Sequence, residues 1–337
     1  MSYQTALRAV GIEFDDPALE ATIRDGLQVV ESALQAAVRS EDEFVADVAK
    51  YLVNAGGKRF RPLLTLLAAQ FGDTEADADG VVMSAVVCEL THLATLYHDD
   101  VMDEATVRRG ATAANTRWSN TVAILTGDFL FARASDILAD LGPEAVRIQA
   151  RTFERLVTGQ IRETVGPKAG VEPVDHYLSV LADKTGSLIA TSAEFGARFA
   201  GVQEQHVDCL RAFGEQLGIA FQISDDILDI ASESEQSGKT PGTDLREGVQ
   251  TLPMLYALQG SDPAGARLRE LISKPLTDDD EHAEALTLLR AAPAMQQARD
   301  TMVEYAESAR AIIAGLPEVP AKAALQALAD LVVVRSG

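Results

Sequence analysis

Six aspartates form two clusters of the same pattern, and their types and spacing point to metal chemistry. Both clusters read DDxxD, and they consist of Asp99, Asp100 and Asp103 and of Asp225, Asp226 and Asp229. Each cluster ends a long, largely apolar stretch of helical period, in which residues four apart share a face. Oxygen ligands without histidine or cysteine partners suit a hard cation such as Mg²⁺ or Mn²⁺.

The repulsion within each cluster has to be compensated. Like charges four residues apart destabilise a helix, and the macrodipole adds to that cost near a helix C-terminus. Mg²⁺ is usually held by one or two carboxylates together with water and substrate phosphates. A single DDxxD is typical of a solvated acidic helix end, whereas two copies, each followed by cations, favour several Mg²⁺ ions around one polyphosphate.

Three basic segments accompany the aspartates in a chain whose net charge is −22. They are Gly56–Pro62 with its sequence GGKRFRP, Arg108–Gly110, and the region of Lys239. Adjacent glycines let backbone amides and a guanidinium approach an anion together. The Gly-Lys-Thr around Lys239 is not a P-loop, because position 233 is glutamate and no strand is predicted before it.

Composition limits the function further. The chain has 337 residues, 29 Lys and Arg against 51 Asp and Glu, and two cysteines. The acidic balance argues against a general nucleic-acid binder and against a polybasic membrane surface. Two cysteines exclude a disulfide scaffold and fit a reducing cytoplasm. We expect no signal peptide and no membrane-spanning segment, since no long uncharged apolar stretch stands out.

The elements that must position these residues are predicted to be helices almost throughout. Helical period runs along the chain without sustained strand alternation or internal repeats. We predict helices at about 17–38, 42–54, 62–71, 78–105, 112–117, 119–139, 143–164, 172–183, 185–200, 204–231, 251–259, 265–273, 281–290, 295–314 and 320–334. No linker divides the chain, so we predict one domain over residues 1–337, and the irregular segment 232–248 is a candidate lid.

With these motifs in view, the sequence resembles the trans-isoprenyl diphosphate synthases, or polyprenyl synthetases. The resemblance rests on LxHDDVMDxxxxRRG, on QxxDDxLD followed by GKxxGxDLxEG, and on GGKRFRP, and it covers almost the whole chain. It implies an all-α fold, a large helical bundle around a deep central cavity, usually in a homodimer. It also implies that the two aspartate motifs face each other across the mouth of that cavity.

The resemblance assigns roles to individual residues of this sequence. Asp99, Asp103 and Asp225, supported by Asp100, Asp226 and Asp229, would hold Mg²⁺, three ions per active site, for which Mn²⁺ could substitute. The allylic diphosphate would be bound by Arg108, Lys184, Thr185, Gln222 and Lys239. Thr185 would help stabilise the developing allylic cation, so that Lys184, Thr185 and Gln222 form the catalytic set. Isopentenyl diphosphate would be held by Lys58, Arg61, His92 and Arg109.

The length of the product is set in this family by the floor of the cavity, below the first aspartate motif. Thr95, Ala94 and Thr91, which precede Asp99 by four, five and eight residues, are all small. No bulky side chain there would stop a growing chain, so we expect a product of about C35–C50, such as the side chain of a respiratory quinone like menaquinone. A C15–C20 product is the alternative, if a side chain from another helix closes the cavity.

Two further alternatives are less well supported. A class I terpene cyclase usually carries one aspartate-rich motif and a different second metal motif, whereas both DDxxD motifs are intact here. A non-catalytic partner subunit would have lost one or both. We expect a cytoplasmic homodimer that uses isopentenyl and allylic diphosphates, does not bind nucleic acid, and touches membrane only transiently when its product is released.

Overall fold

The structure, a computed structural model, describes residues 14–73, 77–232 and 241–335 and is helical apart from one short hairpin in these ranges. The α-helices are α1 (Pro17–Ala37), α2 (Glu43–Asn54), α3 (Phe60–Ala69), α4 (Ala78–Met102), α5 (Ala114–Arg117), α6 (Asn120–Leu141), α7 (Pro143–Val165), α8 (Pro173–Leu181), α9 (Ser187–Phe199), α10 (Glu204–Ala231), α11 (Thr243–Glu247), α12 (Leu252–Gln259), α13 (Ala266–Leu271), α14 (Asp279–Ala291), α15 (Pro293–Ile312) and α16 (Pro320–Val334). Strands β1 (Val107–Arg108) and β2 (Ala111–Thr112) pair antiparallel between α4 and α5.

Local sequence explains where most helices begin. The side chains of Asp16, Asp42, Asp77, Ser119 and Asp278 accept hydrogen bonds from the first free backbone N–H groups of α1, α2, α4, α6 and α14. Five helices (α1, α7, α8, α15 and α16) begin with proline, whose fixed φ and missing N–H suit a first helical position. The predicted all-α fold class is confirmed.

Local predictions differ from the structure at several points, one of which is the segment 232–248, predicted to be irregular, where the structure forms α11 (Thr243–Glu247). Helix α4 ends at Met102 rather than near 105, because the chain turns into the β1–β2 hairpin, which is too short to show strand periodicity. The predicted break at Lys184 is a π-helical turn over Ala182–Gly186 that joins α8 to α9 without a loop. One extra residue in a turn shifts the apolar period, so the two sides look like separate helices in sequence.

The chain divides into two compact units by its internal packing. Unit 1 comprises Met1–Glu154, Leu188–Gly214 and Ile313–Ala327. Its centre is α4, which packs mainly against α6 and also against α3 and α1. Leu63, Leu67, Leu90, Leu93 and Leu130 are completely buried around this helix. The end of α4, which carries the first aspartate motif, therefore projects from a rigid apolar core.

Unit 2 comprises Arg155–Ser187, Glu215–Ile312 and Leu328–Gly337. Within it, α12 packs against α15, and α8 continues into the π turn. The second aspartate motif lies on the part of α10 that belongs to this unit. Its neighbours Ile223, Ile227 and Ile230 are buried and fix the rotation of the helix. The prediction of a single domain over 1–337 stays a prediction.

One helix in the described ranges, α4, is long and apolar enough to cross a membrane by length and composition. This was not expected from the sequence, where no such stretch was recognised. Of its most apolar window, 72% is buried inside the protein. Packing of this kind is typical of a core helix, whose apolar faces are covered by other helices rather than by lipid.

Candidate active site

The first aspartate cluster lies where α4 ends. Asp99 is in its last turn, and Asp103 is the C-cap residue, whose backbone N–H donates to the carbonyl oxygen of Asp99 at 2.8 Å. Asp99 is half-buried, and the side chain of Asp103 is 51% exposed. The helix thus keeps two carboxylates of one face partly open to solvent at its end.

Asp100 has a different environment from its two neighbours. It is completely buried, and its carboxylate accepts hydrogen bonds from Nε of Arg108 at 2.6 Å and from the backbone N–H of Ala114 at 3.3 Å. Nη2 of the same arginine lies 3.7 Å from Oδ2 of Asp103. Asp100 therefore fixes Arg108 beside the open carboxylates, a supporting rather than a ligating position.

The β1–β2 hairpin directs its two arginines to different places. Arg109 and Gly110 occupy the turn with φ of 54° and 74°, the two positive angles that a type I′ turn requires. Arg108 precedes the turn and reaches the aspartates, whereas Nη1 of Arg109 donates to the carbonyl of Leu52 at 3.2 Å and to that of Gly56. The sequence RRG thereby links the aspartate cluster to the GGKRFRP segment.

The GGKRFRP segment buries Arg59 in an ion-pair network. Gly57 has a φ of +147°, and a Cβ there would lie 3.0 Å from the guanidinium carbon of Arg109, so only glycine fits without displacement. Arg59 is buried and pairs with Glu31 at 2.8 Å and with Glu89 at 2.9 Å. Burial would lower the pKa of Arg59, but these two carboxylates outweigh it and raise that pKa. Arg59 is therefore a structural cation.

Three residues predicted to bind isopentenyl diphosphate share a strongly positive environment. Nε of Arg61 is buried and, within the described part of the chain, has no hydrogen-bond partner; burial lowers the pKa of this guanidinium. Burial, followed by the charges of Arg61 and Arg109, also lowers the pKa of His92 well below its usual value. The carboxylate of Glu89 compensates part of this charge, and a bound anion would supply more. The fourth predicted residue, Lys58, is exposed at the same segment.

The second aspartate cluster repeats the pattern of open and buried carboxylates on α10. The side chain of Asp225 is 45% exposed, and its Oδ1 lies 2.9 Å from Nη2 of Arg335. Asp226 is buried, and its carboxylate accepts hydrogen bonds from Nε2 of Gln222 at 3.0 Å and from the hydroxyl of Tyr177. Burial raises the pKa of Asp226 to about 7. The two hydrogen bonds act in the opposite direction and lower this pKa, whereas the negative charges of Asp225 and Asp229 raise it further.

Asp229 connects the cluster to the chain that follows it. Its two carboxylate oxygens accept hydrogen bonds from the backbone N–H groups of Thr243 and Asp244, each at 3.3 Å. Its carbonyl accepts from the N–H of Gly242 at 2.8 Å. Lys239, predicted to bind the allylic diphosphate, and residues 233–240 of the candidate lid lie outside the described residues.

The predicted catalytic set comes together at the π turn. The hydroxyl of Thr185 donates to Oε1 of Gln222 at 3.4 Å, so Gln222 links Thr185 to the buried Asp226. Nζ of Lys184 pairs with Glu163 at 2.5 Å. A π turn projects successive side chains at angles that an α-helix does not allow, and such turns often occur at functional sites.

The π turn is held by a cluster that sequence reasoning missed. Asp183 pairs with Nε of Arg155 at 3.0 Å and with Nη1 of Arg162 at 3.1 Å, both from α7. Arg155 also pairs with Glu215 at 2.7 Å. This network fixes the backbone immediately before Lys184. Arg155 and Arg162, seven residues apart on one face of a predicted helix, were the available signal.

Replacing Gly159 by alanine is expected to lower turnover while the protein stays folded. A Cβ at this position of α7 would lie 2.7 Å from the backbone nitrogen of Lys184, so the π turn has to shift. Misplacing a catalytic group by about 1 Å can cost a hundredfold in rate. Steady-state kinetics with circular dichroism would test this. The control is Gly315→Ala, whose Cβ meets nothing within 4 Å; equal turnover of the two variants would contradict the assignment.

The predicted floor residues line one side of α4 in unit 1. Ala94 and Thr91 are completely buried, and Thr95 is half-buried. The carbonyl of Ala94 would lie 3.0 Å from a Cβ on Gly127 of α6, so the two helices approach closely there. Thr91 is not simply an open small residue, because its hydroxyl accepts a hydrogen bond from Nε2 of Gln149 at 2.8 Å.

Tyr177 and Arg335 were also missed from the sequence. Tyr177 donates to Asp226, and burial together with that carboxylate raises the pKa of its phenol well above the usual value. Arg335 donates to the carbonyl of Phe221 at 2.7 Å and covers the ring of that residue at 3.9 Å. Neither belongs to a motif, and the only signal for Arg335 is a single cation after an apolar helix.

The donor sets fit divalent cations that are shared with a phosphorylated ligand. Within residues 14–73, 77–232 and 241–335, no three His, Cys, Asp or Glu side chains converge into a complete metal site. Each aspartate motif instead offers partly open carboxylates, Asp99 and Asp103 or Asp225, beside arginines. Such a set suits Mg²⁺, which keeps water and phosphate oxygens in its coordination shell.

Comparison with known proteins identifies relatives of the whole chain. Residues 42–289 match the family model described as polyprenyl synthetase. A nonaprenyl diphosphate synthase from Mycobacterium tuberculosis is 53% identical over 97% of both chains, and a dimethylallyltranstransferase of that organism is 42% identical over 95% of this chain and 97% of the other. A geranylgeranyl pyrophosphate synthase from Corynebacterium glutamicum, solved with calcium and isoprenyl diphosphate, is 47% identical, with a TM-score of 0.86 over 97% of this chain and 100% of the other.

Proposed function

Since this chain belongs to the polyprenyl synthetase family, whose members are prenyltransferases, we propose that it lengthens an allylic diphosphate by trans, head-to-tail condensation with isopentenyl diphosphate. The product is a long-chain polyprenyl diphosphate of about C35–C50. The observation that carries this proposal is the 53% identity to a nonaprenyl diphosphate synthase along 97% of both chains.

The residues of both aspartate motifs support divalent-metal dependence. Asp99, Asp103 and Asp225 would hold Mg²⁺, at three ions per active site, with Asp100, Asp226 and Asp229 in supporting positions. When bound, the ions would neutralise charge on the departing diphosphate. Asp225 pairs with Arg335, and Asp103 pairs with Arg108. Both carboxylates therefore lie beside positively charged side chains.

The remaining residues bind and orient the two substrates. Lys58, Arg61, His92 and Arg109 hold isopentenyl diphosphate, whose charge would satisfy the unpartnered Nε of Arg61. Arg108, Lys184, Gln222 and Lys239 hold the allylic diphosphate. The low pKa of His92 keeps its ring neutral near pH 7, so it serves as a hydrogen-bond donor rather than as a third charge beside the two arginines.

The reaction requires no nucleophile from the protein. The C–O bond of the allylic diphosphate breaks, and its electron pair leaves with the diphosphate. The double bond of isopentenyl diphosphate then attacks the allylic carbon, and the proton lost from the new cation passes to the departing diphosphate. Thr185, held by Gln222, places an oxygen near the developing positive charge.

A shorter product is the second candidate, and specific observations favour it. The geranylgeranyl pyrophosphate synthase structure is 47% identical, and the dimethylallyltranstransferase is 42% identical. The small Ala94 and Thr95 support the long product, because they leave the positions five and four residues before Asp99 without a bulky side chain. The long-chain relative is also the more similar of the two curated enzymes at 53%.

The assembly and cellular role are proposed from the same evidence. On α7, Val157, Ile161 and Val165 are 38%, 57% and 77% exposed and recur every four residues, so they form an apolar stripe. We propose that such surface is covered in a homodimer. The enzyme would act in the cytoplasm, where it makes a quinone side chain such as that of menaquinone and touches the membrane only when the apolar product is released.

Incubation with Mg²⁺, isopentenyl diphosphate and farnesyl diphosphate tests the proposal, with product length read by mass spectrometry. We expect a ladder ending near C35–C50, and complete loss of elongation in excess EDTA that Mg²⁺ restores, because the open carboxylates need cations to engage diphosphate. A ladder that stops at C20 would support the shorter product. Elongation that persists in EDTA would contradict the metal assignment.

A further inference from the structure

A polar cluster crosses the core of unit 1 where apolar packing would be expected. Gln149 and Thr152 of α7 are 7% and 6% exposed, Thr91 of α4 is completely buried, and Thr191 of α9 is 3% exposed. Nε2 of Gln149 donates to the hydroxyl of Thr91 at 2.8 Å, and the hydroxyls of Thr152 and Thr191 lie 2.6 Å apart. Buried polar groups of this kind are costly unless they are fully hydrogen-bonded.

The cluster is not fully satisfied. Oε1 of Gln149 is buried and has no hydrogen-bond partner among the residues that the structure describes. Native proteins hold few such atoms, and each one calls for an explanation. A leucine or methionine at this position would fill similar space without burying an unpaired amide oxygen. The amide is therefore better explained by a role in specificity than by stability.

The position of the cluster relates it to the predicted product path. Cys88, Thr91 and Ala94 recur every three residues on α4 and are all completely buried, which places them along one side of the helix. Thr91 precedes Asp99 by eight residues, about 12 Å along the helix axis. A hydrocarbon tail that extends along α4 from Asp99 by eight residues would therefore reach the level of the bond between Thr91 and Gln149.

We propose that Gln149 is a specificity-determining residue, whose bond to Thr91 forms a polar constriction that the growing tail has to open. The inference rests on the proposed elongation reaction. A polyprenyl tail has no hydrogen-bonding groups, so displacing this bond leaves an amide and a hydroxyl unpaired in the core. Condensations that bring the tail to this level are disfavoured, and an intermediate of that length accumulates before the final product forms.

The test compares Gln149→Met with the wild-type enzyme under limiting isopentenyl diphosphate. Methionine keeps the length of the side chain but removes its hydrogen bonds. We expect the wild type to accumulate one intermediate and the variant to lose it, with about a tenfold lower ratio of intermediate to final product. Gln205→Met, at an exposed position of α10, is the matched control and should give the wild-type ladder.

A second set of variants separates specificity from folding. Thr91→Val removes the other partner of the same bond, and the double variant removes both without leaving a buried group unpaired. We expect each single variant to lower the melting temperature and the double variant to recover part of it. All three should lose the intermediate, because none retains the bond.

The outcomes distinguish this inference from the function on which it rests. If the wild type elongates and the three variants show the same intermediates, the role of Gln149 is wrong and the synthase function stands. If the wild type does not elongate any primer, the proposed function fails, and this inference fails with it. Loss of the intermediate in Gln205→Met as well would also overturn the assignment, since the effect would not depend on the constriction.

Discussion

Replacement of Asp225 by alanine is expected to reduce turnover about a hundredfold or more, with helix content unchanged. The side chain is 45% exposed on a helix whose buried face is supplied by isoleucines, so the fold does not depend on this carboxylate. The change removes a proposed ligand for the cations that draw charge from the departing diphosphate. Asp99→Ala should have a similar effect, since Asp99 is the corresponding residue of the first motif.

The control for this prediction is Asp208→Ala on the same helix. Asp208 is 56% exposed and pairs with Arg211 at 2.9 Å, so its removal changes net charge and a surface ion pair as Asp225→Ala does. Initial rates at several Mg²⁺ concentrations and circular dichroism spectra provide the readouts. Near wild-type turnover of Asp225→Ala, at any Mg²⁺ concentration, would show that the metal assignment is wrong.

Replacement of Arg59 by alanine is expected to destabilise the protein by about 3–5 kcal/mol, because it leaves a buried carboxylate without its partner. Arg59 pairs with Glu89 at 2.9 Å, and Glu89 is only 2% exposed. Arg59 also donates to the carbonyl of Val53 at 2.9 Å, so the whole GGKRFRP segment depends on it. Urea unfolding followed by circular dichroism measures the change.

The adjacent Lys58 provides the contrast. It is exposed, and Lys58→Ala should change the free energy of unfolding by less than about 0.5 kcal/mol. It should nevertheless raise the KM for isopentenyl diphosphate, since it removes a proposed contact with that substrate. Unchanged stability of Arg59→Ala would refute the structural role of that arginine, and an unchanged KM for Lys58→Ala would refute the binding role of the lysine.

Arg59 and Lys58 are adjacent in the sequence but differ in burial, and this difference illustrates what could and could not be predicted from the sequence. The helices could be predicted because their caps and apolar period are local, as at Asp16 and Asp278. The motifs could be predicted because the negative charges of DDxxD and the positive charges of RRG, which compensate them, lie close together in the sequence. The sequence could not show which member of each motif faces inward, because that depends on distant partners: Asp100 on Ala114, Arg59 on Glu89, and Asp226 on Tyr177.

The same limitation applies to the floor of the cavity. Thr91 reads as a small, open residue in the sequence, yet the structure joins it to Gln149, which is 58 residues further along the chain. Side-chain size on one helix therefore left out the contact of Thr91 with a residue of α7. Arg335 is a similar case, because its contact with Asp225 spans more than a hundred positions and follows no motif.

The π turn at Ala182–Gly186 makes the chain sensitive to its length at this point. A π turn is equivalent to one residue inserted into a continuous helix. Deletion of a single residue there would let the helix close into regular α geometry, with no charge removed. Every side chain on one side of the deletion would then rotate by about 100° relative to the other. Thr185 would turn away from Gln222, so in this segment the number of residues matters as much as their identity.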